Sequence, residues 1–333
     1  MMVTRNDIAK RVGVSPSTVS RVINNNGYVS SDVRMRIMKA VNELNYVPNR
    51  IANMLRSQKS SQIACVTHSI ANPFYNEILL GIEESAYDNG YSFSLFNANF
   101  GQYDYKRAIR ESMFDGLIIL SPAELMKLMK FSPIPEELPT VVYWDYAGES
   151  PISHVFIDMT QAMETAVSFL LQNGHRKILF LSYEFISPDE NPRFQGYKHA
   201  MDMHHQVLDS NMVVMCKRWD DTLASGYAKM KEILNSSVSF TAIAATNDLL
   251  AIGAIKALIE AGIRVPEDVS VTGFDDVDIS SYISPSLTTV HVPKRQIGQG
   301  LINLLMDKLD GNSANNKLTL HTQLMIRESV AKL

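Results

Sequence analysis

The spacing of apolar residues divides the chain into two regions of different character. Between residues 4 and 46, apolar side chains recur three and four positions apart, a spacing that predicts short amphipathic helices. From residue 63 onward, short apolar runs alternate with longer amphipathic stretches, as strands alternate with helices in parallel sheets. Two successive sets of this alternation predict an α/β fold with two doubly wound parallel halves.

The apolar runs are the predicted strands, and we expect those of the first set to be buried on both faces. The strands are predicted at 63–67, 92–96, 116–120 and 139–143 in the first set, and at 178–181, 212–216, 242–245 and 269–272 in the second. Helices are predicted near 75–89, 158–173, 193–205, 222–235 and 247–261.

The helical segments at the start of the chain carry the signals of a helix-turn-helix. Thr4 and Asp7 are spaced as a capping box, and Gly13 supplies the freedom that a sharp turn needs. Ser15 then caps a second helix with Pro16 at its first position, and a third helix is capped at Ser30 or Ser31. In this motif the second helix lies in the major groove of DNA. Its outward-facing residues are predicted to be Ser17, Thr18, Ser20 and Arg21, and its inward-facing ones Val19, Val22 and Ile23.

The distribution of charge supports DNA as the partner of this region. Residues 1–60 contain ten Lys or Arg and three Asp or Glu, a surplus of seven positive charges. Because the whole chain has a net charge of −4, the remaining residues carry −11. The start of the chain is therefore suited to a polyanion. The alternative is a small three-helix bundle with a solvated basic face.

Two motifs in this region resemble a known family. Residues 14–25, VSPSTVSRVINN, and 44–50, LNYVPNR, are similar to the lactose-repressor/purine-repressor family of bacterial regulators, and the resemblance covers essentially all 333 residues. It implies that Pro16, Ser17 and Arg21 are among the base-reading positions. Pattern and resemblance together give the candidate DNA-binding residues Thr4, Arg5, Ser15, Pro16, Ser17, Thr18, Ser20, Arg21, Asn24, Tyr46, Asn49, Arg50, Ala52, Leu55 and Arg56.

A hinge helix is predicted after the third helix. The residue before Pro48 disfavours helix, so the third helix should end near Tyr46, and Asn49 can cap a new helix of about two turns. Such a short helix is not stable alone in water. The resemblance implies that it folds on operator DNA and that Leu55 wedges into the minor groove, which kinks the duplex. The alternative is that Leu55 packs on the following domain.

The resemblance also implies a periplasmic-binding-protein-like sensor in which the chain crosses between the two halves three times. The crossings are expected near 158–162, 286–291 and 319–323, with the helix 297–309 returning to the first half and a last strand near 323–327 joining the second. The expected domains are 1–47 for the helix-turn-helix, 48–61 for the hinge, 62–158 with 291–320 for one lobe, and 159–290 with 321–333 for the other.

Open α/β sheets bind ligands beyond the carboxyl ends of their strands, so the residues just after the strands are the candidate binding residues. By resemblance, RFQGY at 193–197 contains an arginine that grips an effector, while TNDLLAIG at 246–253 and VTGFDD at 271–276 supply Asn247 and Asp275. Carboxylates, an arginine and aromatic faces suit a polyhydroxylated ligand. The candidate ligand-binding residues are Tyr75, Ser121, Asp145, Arg193, Trp219, Asp221, Asn247 and Asp275.

Several of these residues have simpler interpretations. Arg193 can be a surface residue that caps a helix, and Asn247 can be a helix N-cap, a role compatible with ligand contact. Asp276 and Asp278 are expected to be turn and cap residues.

Other classes of protein are disfavoured by what the sequence lacks. It has no run of about 18 apolar residues and no apolar signal core at its start, so we expect a cytoplasmic protein. Cys65 and Cys216 are expected to be buried thiols, and the histidines lack metal-ligand spacing. No phosphate loop and no nucleophile motif is present, so we expect neither an enzyme nor a cofactor or metal. The other alternative is a periplasmic-type sugar-binding protein, but in such a protein the DNA-binding region predicted at residues 4–56 would have no function.

The sequence therefore predicts a ligand-switched transcriptional regulator, in this family most often a repressor, of a catabolic operon. A twofold homodimer would read a near-palindromic operator, because each protomer contacts one half-site. The expected effector is a sugar or sugar derivative in the cleft between the halves. The alternative is a purine- or nucleoside-responsive regulator of the same fold.

Overall fold

A computed structural model describes residues 3–23, 25–46, 59–98, 105–111, 113–131, 134–135, 137–146, 148–183, 191–217, 222–312 and 316–333. The chain forms two compact units, residues 1–60 and 61–333. Within the described ranges, none of the helices is long and apolar enough to span a membrane.

The described residues of the first unit form three helices around a small apolar core. Ile8, Val19 and Ile37, one from each helix, are fully buried and pack together. Val22 is also buried, whereas Ile23 is only half-buried, so the predicted inward face of the second helix is confirmed with one weaker member. The helices are α1 (Arg5–Val12), α2 (Pro16–Ile23) and α3 (Ser31–Glu43).

The second unit contains two six-stranded sheets, each in its own lobe. All neighbouring strands in the first sheet are parallel, in the order β11-β5-β4-β3-β1-β2. This arrangement confirms the predicted α/β class for the first half. The strands of this sheet are β1 (Gln62–Thr67), β2 (Ser92–Asn97), β3 (Gly116–Ile119), β4 (Thr140–Trp144), β5 (His154–Ile157) and β11 (Lys317–Leu320).

The second sheet repeats the order of the first, β12-β10-β9-β8-β6-β7. Its strands are parallel except β12, which pairs antiparallel with β10. The repeat of one strand order is the two-lobed architecture expected from the sequence. The strands of this sheet are β6 (Ile178–Tyr183), β7 (Val213–Cys216), β8 (Ala242–Ala245), β9 (Ser270–Asp275), β10 (Thr288–His291) and β12 (Gln323–Met325).

Helices connect the strands of both sheets. The tightest helix pairs meet at glycines, because a side chain there would collide with the backbone of the neighbouring helix: Gly81 with Arg295, and Gly253 with Leu223. The helices are α4 (Pro73–Asp88), α5 (Tyr105–Glu111), α6 (Pro122–Phe131), α7 (Met159–Gln172), α8 (Pro192–Met203), α9 (Leu223–Leu234), α10 (Asp248–Glu260) and α11 (Lys294–Leu309).

The chain passes between the lobes at three places. The first crossing follows β5 at residue 158, and the last lies between β11 and β12, at 321–322. The second was expected near 286–291, and it falls just beyond that range, at 292–293, because β10 occupies 288–291 in the second sheet. The segment stays in the second sheet because each residue of β10 is paired with β9.

The expectation that the first-set strands are buried on both faces is wrong for β2. This strand is at the edge of its sheet, most of its residues are half-buried, and Leu95 is 39% exposed. The interior strands β1, β3 and β4 are buried as predicted. Local apolar character could not reveal which strand lies at the edge, because strand order depends on contacts distant in sequence.

Candidate functional site

The first unit has the caps and the turn predicted for a helix-turn-helix. The Asp7 carboxylate accepts a 2.8 Å hydrogen bond from the Thr4 amide, and the Thr4 hydroxyl accepts one from the Asp7 amide at 3.4 Å. Gly13 ends α1 in the left-handed conformation, with φ of +76°. Ser15 accepts a hydrogen bond from the Thr18 amide at the start of α2. The side-chain cap expected for α3 is not observed: Ser30 occupies the N-cap position, and its side chain forms no capping hydrogen bond.

The outer side of α2 carries the predicted DNA-reading side chains. Ser15, Pro16, Ser17 and Arg21 are exposed. Thr18 and Ser20 are half-buried. The polar and cationic side chains of one helix therefore face solvent together, while its apolar residues hold it in the bundle. That is the presentation that a major-groove helix requires.

Arg5 and Tyr46 occupy a different position from the residues of α2. The Arg5 guanidinium donates to the Tyr46 hydroxyl at 3.3 Å and to the Ser20 hydroxyl at 3.2 Å. Tyr46 is 9% exposed and packs in the core of the bundle. Arg5 thus links the start of α1, helix α2 and the residue that leads to the predicted hinge, while Thr4 beside it is exposed.

Eight of the candidate site residues lie outside the described ranges. They are Asn24, Asn49, Arg50, Ala52, Leu55 and Arg56 among the DNA-binding candidates, and Trp219 and Asp221 among the ligand-binding ones.

The other six ligand-binding candidates come together in one cleft between the lobes of the second unit. The cleft contains about 90 Å³ of free space, several times the roughly 10–15 Å³ that a single water needs. It lies at the carboxyl ends of strands from both sheets, as the rule for open α/β sheets requires. The first lobe contributes Tyr75, Ser121 and Asp145, and the second contributes Arg193, Asn247 and Asp275.

Both lobes use the same sequence device to bring a helix to the cleft. Asn72 precedes Pro73 at the start of α4, and Asn191 precedes Pro192 at the start of α8. Each asparagine accepts a 2.9 Å hydrogen bond from the amide two residues on, and each proline occupies a position where its missing N–H is harmless. The second of these caps places Arg193, the next residue after Pro192, in the cleft.

Arg193 occupies the centre of the cleft between two carboxylates. Its guanidinium is 4.0 Å from Asp145 of the first lobe and 3.9 Å from Asp275 of the second, and it lies 4.7 Å from the centre of the Phe274 ring. The residue is only 9% exposed, so the alternative that it is a surface cap is wrong. Both of these ion-pair distances exceed hydrogen-bond length.

Burial shapes the electrostatics of the cleft. Desolvation raises the pKa of Asp145, and the positive charge of Arg193 offsets part of that rise. Desolvation also raises the pKa of the Tyr143 hydroxyl well above its ordinary value, so Tyr143 is a neutral hydrogen-bonding group. The described cleft therefore offers one cation, two carboxyl groups and neutral hydroxyls.

Four buried polar atoms of the cleft region have no hydrogen-bond partner in the described part of the chain. They are the Tyr143 hydroxyl, Asp145 Oδ1, Asn191 Nδ2 and Arg193 Nε. Buried polar atoms are rarely left unpaired in native proteins, so such a cluster indicates a place for a polar molecule. Its members include both donors and acceptors, which a hydroxylated ligand can satisfy together.

Sequence reasoning missed Tyr143 and Asn191. Tyr143 was assigned to a buried strand, yet it precedes Asp145 by two residues, and side chains two apart share one face of a strand. Asn191 is not among the predicted site residues, although its spacing to Arg193 repeats that of Asn72 to Phe74.

The remaining predicted positions have structural roles. Asn247 caps α10 by accepting from the Leu250 amide at 2.8 Å, which confirms the cap interpretation, and it also lines the cleft, so ligand contact stays a prediction. Asp276 lies in a turn as expected, with φ of +53°, and its carboxylate pairs with Arg327 at 2.6 Å and with His291 at 2.8 Å. The expected cap role of Asp278 is wrong, because Asp278 is the first residue of a short 3-10 helix whose N-cap is Val277. Cys65 and Cys216 are buried thiols, as expected, and no disulfide joins them. Among the described residues, none of the His, Cys, Asp and Glu side chains form a group that could hold a metal.

Comparison with known families gives a match at each end of the chain. Residues 4–49 match the model described as bacterial regulatory proteins, lacI family. Residues 167–330 match the model described as periplasmic binding protein-like domain.

Curated relatives match along the full chain, and solved structures match most or nearly all of it. The HTH-type transcriptional repressor PurR of Photobacterium profundum is 33% identical over 341 residues, and that of Vibrio vulnificus is 31% identical over 338 residues, each covering all of both chains. The lac repressor dimer bound to operator and the anti-inducer ONPF has a TM-score of 0.83 and 27% identity, covering 99% of this chain and all of that one. The CelR–cellobiose complex has a TM-score of 0.72 and 30% identity, covering 98% and 99%. A LacI family regulator from Enterococcus faecium with bound ribose has a TM-score of 0.70 and 28% identity, covering 82% and 99%.

Proposed function

The chain belongs to the lacI family of bacterial regulatory proteins, and from this premise we propose how its residues divide the work of a ligand-responsive repressor. Members of the family are transcriptional regulators, not enzymes, and they bind operator DNA as dimers under the control of small molecules. Our proposal assigns residues 1–47 to DNA reading, 48–61 to a hinge, and the two lobes to effector sensing. We place the protein in the cytoplasm, where its operator is.

We assign base reading to the exposed side of α2. Pro16, Ser17 and Arg21 are the proposed base-reading residues, and the exposed arginine has the length and the donors to reach a guanine edge. The surplus of positive charge in residues 1–60 supports binding to the phosphates around them. The other proposed DNA contacts are Thr4, Arg5, Ser15, Thr18, Ser20, Asn24, Tyr46, Asn49, Arg50, Ala52, Leu55 and Arg56.

For the effector, we propose a neutral sugar or sugar derivative. The observation that carries this proposal is the buried Arg193, flanked by carboxylates of both lobes at about 4 Å, together with the buried polar atoms of Tyr143, Asp145 and Asn191 that have no partner among the described residues. Hydroxyl groups can bridge these distances, because each hydroxyl both donates and accepts. Two carboxyl groups against one cation disfavour an anionic ligand, so a phosphorylated sugar should bind less well than its neutral parent.

A purine or nucleoside is the second candidate. The curated relatives bear the name PurR, and the cleft contains Phe74, whose ring lies 5.1 Å from Tyr75 and 6.1 Å from Tyr143 between centroids. A planar base could stack on such rings. This candidate changes the effector and leaves the regulator assignment unaffected.

The effector must bias the protein between two arrangements that differ in operator affinity. We propose that a ligand bridging Asp145 and Asp275 changes the angle between the lobes, since these carboxylates belong to different lobes. Couplings of this kind are typically about 1–3 kcal/mol and act equally in both directions, so operator binding changes effector affinity by the same factor. We propose that the protein is a repressor of a catabolic operon.

Two measurements on the intact protein test the proposal. Selection of duplexes from random DNA should yield a near-palindromic consensus, and its absence would contradict operator binding. A thermal-shift panel of D-ribose, D-glucose, cellobiose, hypoxanthine and guanosine tests the effector class. At about 100 times its dissociation constant a bound compound stabilises the protein by roughly 2.7 kcal/mol.

The panel needs a control that separates cleft binding from general stabilisation. Asp275→Asn should lose the shift, whereas Glu260→Gln, a surface change on α10, should keep it. Shifts with hypoxanthine or guanosine alone would make the sugar assignment wrong and favour the purine candidate.

A further inference from the structure

A fully buried lysine lies beside the effector cleft. Lys294 is the first residue of α11, directly after the second crossing between the lobes, and it is 1% exposed. Lysine is almost never buried to this extent unless its ammonium is paired. Here it donates to the backbone carbonyls of Asp275 at 2.6 Å and Asp276 at 2.8 Å, and the Glu77 carboxylate lies 3.4 Å away.

The two carbonyls belong to a backbone turn of unusual conformation. Asp275 has φ of +104° and Asp276 has φ of +53°, values that residues with a side chain rarely adopt. Such conformations persist where the surrounding structure enforces them. The two bonds from the Lys294 ammonium act on both residues of the turn, and this turn directs the Asp275 carboxylate toward Arg193.

The same ammonium reaches the first lobe through Glu77. This glutamate is on α4, two residues after Tyr75 of the cleft wall. Helices α4 and α11 are in backbone contact, because a side chain at Gly81 or Gly298 would collide with the opposite helix. Lys294 is thus fixed to a rigid helix pair in the first lobe while it holds a turn in the second.

We propose that Lys294 is a positioning residue for effector recognition: it sets the Asp275 turn and joins that turn to α4 through Glu77. A ligand that binds the Asp275 carboxylate moves the turn, and the Lys294 ammonium transmits this movement to the first lobe through Glu77. The inference rests on the proposed function in so far as Asp275 is an effector contact. The linkage itself exists without effector or DNA.

Hydrogen–deuterium exchange of the ligand-free, full-length protein tests this linkage directly. The decisive variant is Glu77→Gln, because the changed side chain is in the first lobe and the measured peptide, 273–278, is in the second. Glu77 is partly exposed, so this variant should fold. Its matched control is Glu84→Gln, which removes a carboxylate that pairs with Arg295 across the same two helices.

We expect exchange in 273–278 to become about threefold faster or more in Glu77→Gln, since local opening depends on the contacts that hold the segment. It should become at least about tenfold faster in Lys294→Met, which loses both carbonyl bonds. Peptides of α9 and α10 should be unchanged in Glu77→Gln, which excludes a general loss of stability. Exchange in Glu84→Gln should equal that of the wild type.

Two results would overturn the inference. One is an unchanged rate in 273–278 for Glu77→Gln, and the other is equal acceleration in Glu77→Gln and Glu84→Gln. If Lys294→Met does not fold, the comparison of Glu77→Gln with Glu84→Gln still tests the inference. The exchange experiment uses neither sugar nor DNA. Its outcome therefore does not depend on whether the thermal-shift panel identifies an effector.

Discussion

Replacing Arg193 by methionine should destabilise the protein strongly at neutral pH. The guanidinium lies about 4 Å from each of two largely buried carboxylates, Asp145 and Asp275. At that distance and an effective dielectric constant of about 20, each pair attracts by roughly 4 kcal/mol. Methionine retains much of the apolar contact with Phe274 but leaves both carboxyl groups without their cation. We therefore expect a loss of about 3–5 kcal/mol in the free energy of unfolding, as for other broken buried pairs.

The loss should be smaller in acid, and this dependence identifies its cause. Without Arg193 the two carboxyl groups can escape the penalty by taking up protons. Asp145, whose pKa is raised by burial, recovers about 1.4 kcal/mol per unit of pH as it takes up its proton below that pKa. The difference between wild type and Arg193→Met should therefore shrink between pH 8 and pH 5. Urea denaturation of the ligand-free protein at four pH values measures it.

Two further variants separate charge from packing. The triple variant Arg193→Met/Asp145→Asn/Asp275→Asn removes the uncompensated charges and should recover most of the stability. Arg264→Met breaks a bidentate pair with Asp268 on the surface, and it should change unfolding far less because exposed pairs are screened. A pH-independent loss in Arg193→Met, or a loss no larger than that in Arg264→Met, would refute the electrostatic argument.

Four other outcomes are expected. Operator affinity should fall with salt with a log–log slope of about −0.9 per neutralised phosphate, and a flat response in a gel-shift titration would count against the basic face. Arg21→Ala should relax base preference at one symmetric pair of positions at a cost of about 1–3 kcal/mol; a uniform drop across sequences would make it a phosphate contact. Leu55→Ala should weaken binding to operator more than to random duplex and reduce the helix gained in circular dichroism on adding operator; equal losses on both DNAs would contradict the wedge. Burial raises the pKa of Asp248 to about 7, so its contribution to stability is complete below about pH 4 and is lost as pH rises toward 7. The free energy of unfolding of the wild type should therefore decline over this pH range relative to that of Asp248→Asn, and parallel pH profiles of the two proteins would contradict the prediction.

The fold could be predicted closely because its signals are local. The predicted helix at 222–235 is observed at Leu223–Leu234, where Thr222 forms a side-chain cap. The helix predicted at 158–173 is observed at Met159–Gln172, capped by Asp158. A cap and an apolar stripe are both readable within a few residues of the helix they define.

Features that depend on distant contacts were harder to predict. The edge position of β2 depends on strand order, and the second crossing depends on the pairing of β10 with β9. Tyr143 was recoverable from strand alternation with Asp145. Lys294 was not, because a lysine at the start of a helix ordinarily faces solvent and its burial follows from carbonyls nearly twenty residues away.

Because the chain crosses between the two lobes three times, its topology limits how the sensor can fold during synthesis and how it can be exchanged by recombination. Each sheet takes an edge strand from the last stretch of chain: β11 completes the first and β12 the second. During synthesis neither sheet can be completed until these residues have left the ribosome, although the DNA-reading unit emerges long before them. Grafting one lobe onto a relative likewise requires three junctions in register at once, so natural recombination should exchange the two-lobed sensor as a single cassette.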